Sequence, residues 1–166
     1  NNTASASTSS SSGGFVGVAD ADTQINLGYS TKATFRANAD ILVGGLLKGA
    51  AQSSTNVSAN SEASGIGFGG DADSSADASI SPALTQVEVA DGAILTGKTL
   101  LLSATVPSLN VQTRGSAKGA GFVALGDDDS RVDVSANNDV LIQANAEVTG
   151  IEGVDFVPRY ANVNTR

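Results

Sequence analysis

Residues Thr85 to Phe122 read TQVEVADGAILTGKTLLLSATVPSLNVQTRGSAKGAGF, and recognisable copies of their parts lie on both sides. Gly-Phe occurs at Gly14-Phe15, Gly67-Phe68 and Gly121-Phe122, at spacings of 53 and 54 residues. Asparagine marks the same phase at Asn2, Asn56, Asn110 and Asn162, with valine next at the last three. A period this long belongs to a stack of supersecondary units, none of which can bury its apolar face alone. Residues 1–166 therefore read as one repetitive segment, with units near 2–55, 56–109 and 110–161 and the start of a further one at 162–166. Because ANVNTR at the C-terminus resembles LNVQTR at Leu109 to Arg114, the segment reads as cut from a longer array.

Within the quoted unit, Val87 and Val89 alternate with Glu88, Asp91-Gly92 supplies a turn, and Gly97-Lys98 supplies another. Leu100, Leu102, Ala104 and Val106 then share one face of a strand. The first unit matches this with Ala33, Phe35, Asn38, Ile41 and Leu46-Leu47. The third is expected to place Val132 and Val134 at the valine pair and Asn137-Asn138 at the turn. That alignment makes the third unit short after its Phe and leaves Gly153 to Ala161, GVDFVPRYA, as an insertion. The Ser/Thr/Ala tracts on either side of each Gly-Phe predict a projecting hairpin, centred on the glycines, with the Phe as its one large packing residue.

Composition supports the same class. The chain has 19 Gly, five Phe, two Tyr, and no Trp or Met, a set of side chains too small to fill a compact globule but suited to thin, closely stacked sheets. The fold expected is all-β, an elongated β-solenoid with projecting hairpins and about three repeats. A net charge of −8 opposes nucleic acid and anionic membrane surfaces as partners. No apolar run approaches the roughly 20 residues of a membrane span, and the first residues lack the basic and apolar regions of a signal peptide.

The strings VEVADGAILTGKTLLLSATV at Val87 to Val106 and NVQTRGSAKGAGFVALGDDDSRVDV at Asn110 to Val134 resemble the repetitive β-solenoid regions of filamentous-haemagglutinin-like giant bacterial surface adhesins and related extracellular repeat proteins. The likeness lies in repeat texture and covers nearly the whole chain. It implies a secreted, rod-like, non-catalytic segment at the cell surface, serving as shaft or spacer. Its expected partners are further repeats of the same or a longer chain, including head-to-tail self-association.

One constellation repeats. Asp20, Asp73 and Asp127 stand five residues after each Phe, and Asp22 and Asp129 stand seven after, with Ser75 in the middle unit. Stacked carboxylates repel, and calcium, which takes six to eight oxygen ligands, would relieve that repulsion. The other use of such residues is to keep a sheet edge soluble and unpaired. A binding module for calcium, carbohydrate or a receptor is thus the alternative to a structural segment. Enzyme comes third: without His or Cys, Ser-His-Asp and Cys-His machinery is absent, and only a carboxylate pair of the kind carbohydrate-active β-helix enzymes use remains.

Overall fold

The computed structural model describes residues 1–160 and 163–165; Ala161, Asn162 and Arg166, and with them part of the expected further unit, lie outside the described residues. The chain is all-β and elongated, a β-solenoid built on parallel pairing. Its strands are β1 (Asn2–Phe35), β2 (Asp40–Val89), β3 (Ile94–Ala120), β4 (Val123–Ala124), β5 (Asp127–Ile142), β6 (Glu147–Tyr160) and β7 (Val163–Thr165). They form one sheet in the order β1-β2-β3-β6, with β4 and β5 also on β2 and β7 also on β3, and every pairing is parallel. A parallel neighbour needs a long crossover. Here the crossover is the remainder of the coil, so residue i meets residue i+53 or i+54: Asp20 beside Asp73, and Asp73 beside Asp127.

Alternating side chains point into and out of the coil, and the inward ones stack in columns of like residues. Leu47, Leu100 and Val154 form one column, and Ile41, Leu95 and Val148 another. With Val87, Val89, Leu102 and Ala104 they fill one core. A second core holds Ile25, Val57, Ala59, Ala76, Ala78, Ile80, Val106, Leu109 and Val111. Each inward Leu, Ile or Val that is fully buried contributes roughly 1.5–3 kcal/mol. Column size is balanced across the coil as well as along it. Gly49 leaves space that the Phe35 ring occupies, while the next coil divides that space between Val89 and Leu102.

One end of the coil closes in a tight turn repeated at Arg36–Ala39, Ala90–Ala93 and Gln143–Ala146, each closed by a bond from the last N–H to the first carbonyl at 3.1, 3.1 and 3.3 Å. The third position has a positive φ in every copy, 57° at Asn38, 68° at Gly92 and 56° at Asn145, the conformation that Gly and Asn adopt most readily. The turns also bond to each other, Asn38 N–H donating to the Asp91 carbonyl at 3.1 Å. The expected placement of Asn137-Asn138 in this turn is therefore corrected. They pair with Leu84 and Thr85, and Val140 rather than Val132 lies beside Val87. Between its Phe and this turn the third unit is therefore only one residue shorter than the second, at Ser81-Pro82 against Ser135, and Gly153–Tyr160 is no insertion but the strand partner of Thr99–Val106.

The opposite end is a narrow lobe lined by Ala19, Ala21, Ala63 and Ala72. Its two arms run in opposite directions, yet their backbone bonds go to the coils above and below rather than across, as a hairpin would require. The gap between arms is small enough for hydroxyls to span: Thr23 Oγ1 donates to the Asn60 carbonyl at 2.8 Å, and Ser74 Oγ to the Ser61 carbonyl at 3.2 Å. A phenyl ring cannot enter such a space. Phe15, Phe68 and Phe122 accordingly project outward from the lobe tip, 78%, 55% and 83% exposed, instead of packing inside as expected.

Candidate functional site

Because the interior is filled by columns of apolar and small residues, chemistry is confined to the outward columns. On the arm that follows Gly-Phe, inward Ala19, Ala21 and Thr23 alternate with outward Asp20, Asp22 and Gln24. Parallel pairing then aligns these with the next coils. The sequence-predicted residues come together as two adjacent columns, Asp20-Asp73-Asp127 and Asp22-Ser75-Asp129. Asp20, Asp73, Ser75, Asp127 and Asp129 line one shallow depression, with Ser74 at its floor. Further along the same face, Gln24, Asp77 and Arg131 form a mixed column, with Arg131 3.8 Å from Asp133.

Neighbouring members of a column stand about 4.8 Å apart along the axis, the spacing of paired strands. Three carboxylates at that spacing repel one another, most strongly at the middle one. A cation held here would take its protein ligands from Asp20, Asp22, Asp73, Asp127 and Asp129. Among the described residues no group of three or more His, Cys, Asp or Glu converges as a metal site requires. Replacing the middle carboxylate, Asp73→Asn, is expected to stabilise the fold by about 0.5 kcal/mol at low ionic strength, because like charges directly opposite are unfavourable. Salt should shrink the gain by screening. Sodium and calcium chloride at equal ionic strength are expected to raise the melting temperature alike; an excess rise with calcium that Asp127→Asn with Asp129→Asn removes would instead establish a bound ion.

Other columns are held by side-chain bonds along the axis. Asn110 Nδ2 donates to Asn56 Oδ1 at 2.8 Å, and Asn145 Nδ2 to Asp91 Oδ1 at 3.1 Å. Gln86 Nε2 donates to Asp139 Oδ2 at 3.1 Å, and the Gln143 amide to the Glu88 carboxylate. The asparagine phase seen in the sequence is thus an amide ladder over Asn56 and Asn110. Asn2 falls one residue outside it, since Thr3 is the neighbour of Asn56.

The feature that sequence reasoning missed is the aromatic column. Phe15 and Phe68 stack with centroids 5.3 Å apart and planes 4° from parallel, and Phe68 and Phe122 stack at 5.3 Å and 12°. The Gly-Phe period was the signal for it. Exposed apolar neighbours extend the column into a ridge: Val16 and Val123 flank it on the next position, Val18 and Leu125 beyond. No protein family, curated protein or solved structure matches the chain, which leaves these outward columns as the ground for a functional reading.

Proposed function

We propose that this chain is a structural, non-catalytic rod segment of an extracellular surface adhesin, filament or matrix protein. The observation that supports this reading is the axial ladder. β2 is bonded on one edge by β1 and on the other by β3, β4 and β5, whereas among the described residues β1 is paired with β2 alone. The outer edge of β1 carries the same spacing of donors and acceptors that β2 uses for its neighbours, so a further coil, of the same or a longer chain, fits there. A contact of this kind between copies is head-to-tail, and it extends as a filament unless its rotation closes a ring. Columns of polar and acidic side chains along the outer face keep such a rod soluble along its length.

Electron microscopy of the isolated chain across a concentration series tests the reading. Rods that lengthen with concentration are the expected result. Monodisperse monomers with a sharp thermal transition would overturn the idea that the strand edges accept further coils.

A further inference from the structure

The outward ridge at the Gly-Phe tip has a composition that solvent alone does not favour. Val16, Val18, Phe68, Phe122, Val123 and Leu125 are each more than half exposed and are contiguous along the axis. Together with Phe15 they present an apolar surface on the order of several hundred Å², at the upper end of what a monomer leaves uncovered. Its relief is uneven. Gly69 stands in register between Val16 and Val123, and the space where a side chain would sit on it is open. Beside this notch, half-buried Asp71 pairs with Val18 and follows Gly70, whose carbonyl accepts from Leu125 N–H at 2.8 Å. Asp71 is thus a carboxylate set between two apolar side chains.

The next outward position along the same arm is the Asp20-Asp73-Asp127 column, about 6.6 Å away. The ridge therefore has one flank of negative charge and a carboxylate within it. We propose that it is a docking site for a protein segment in which Lys or Arg lies between apolar side chains. The aliphatic stem of such a cation fits over Gly69 while its charged end reaches Asp71 and the acidic column, and the neighbouring apolar side chains cover the phenyl rings. Charge selects this occupant over a second copy of the chain, whose net charge is also −8, and over anionic lipid.

The test uses the whole chain and a fluorescein-labelled short peptide of alternating leucine and lysine, followed by anisotropy. Control peptides replace leucine with serine or lysine with glutamate. Saturable binding of the leucine-lysine peptide is expected, with both controls weaker by about tenfold or more. Phe68→Ser and Asp71→Asn should each weaken binding by about tenfold, and the Asp71→Asn effect should fade in high salt. Circular dichroism checks that each variant keeps its thermal transition; should Phe68→Ser lose it, Val123→Ser, farther from the middle of the stack, takes its place. Equal binding of the serine-lysine control would reduce the effect to bulk charge and overturn the site. So would undiminished binding by Asp71→Asn, absence of saturation, or self-association of the chain that Phe68→Ser abolishes, since a second copy would then cover the ridge.

Discussion

Leu100→Asp is expected to leave little folded protein. Leu100 is fully buried, lies in register between Leu47 and Val154, and belongs to the core that Val87, Val89 and Leu102 complete. The substitution removes the apolar side chain from the middle of a column and buries a carboxylate with no cation beside it. Together these cost about 5 kcal/mol, comparable to the whole stability of many domains. Glu88→Ala removes an outward side chain whose main partner is the Gln143 amide, and it should cost less than about 1 kcal/mol. Urea denaturation of the two variants gives the comparison directly. Equal shifts of the midpoint would mean that Leu100 does not face inward.

The second large effect is expected at the lobe, from a single methyl group. A Cβ built on Gly65 would overlap the Asp71 carbonyl oxygen and lie 2.8 Å from the Gly17 carbonyl oxygen. Both obstacles are backbone, so neither can swing aside. To accept alanine, the two arms must part and Gly65 must move away from the neighbouring coil, which loosens ladder bonds on both. Gly65→Ala should therefore cost about 3 kcal/mol. Gly44 provides the internal comparison, because nothing lies within 4 Å of its added Cβ. Gly44→Ala is expected to stay within about 0.5 kcal/mol of the parent chain. If thermal melting ranked the two substitutions equally, the close approach of the arms at Gly65 would be wrong.

The repeat was legible because the same residue types recur where the backbone or the core demands them. Asp91-Gly92 identified a turn that does require a positive φ at its third position, and Asn38 identified the equivalent one. The aspartates at fixed distances from Gly-Phe identified columns that parallel pairing brings together. The third unit was misaligned for a physical reason. Placing Val132 instead of Val140 beside Val87 is a slip of eight residues, and an even slip keeps every inward side chain inward. Alternation alone is blind to it. Asn145 was the better anchor, since a turn with positive φ tolerates few residue types.

Two other features are invisible to a reading along the chain. Strand, glycine turn and strand again describe a hairpin and a solenoid lobe equally well, and only the direction of the backbone bonds separates them. The side on which Phe68 projects depended on the width of the lobe, which Ser61 and Ala63 on one arm and Ala72 and Ser74 on the other set by their close approach across it. An aromatic residue beside glycines suggests a plug for a small core. Here the core was too thin to receive one, and the rings stack on each other outside it.

The axial ladder also decides how the fold would respond to tension. Every backbone bond between coils points along the rod, so tension applied at its two ends pulls those bonds open in sequence, as a zipper, and does not shear a whole strand at once. Each coil advances the rod by about 4.8 Å but contains 53–54 residues, and at roughly 3.4 Å per extended residue it releases on the order of 180 Å when it peels away. A stack of this construction would open one coil at a time, lengthening by more than thirtyfold (about 180 Å against about 4.8 Å per coil) before the covalent chain itself is taut.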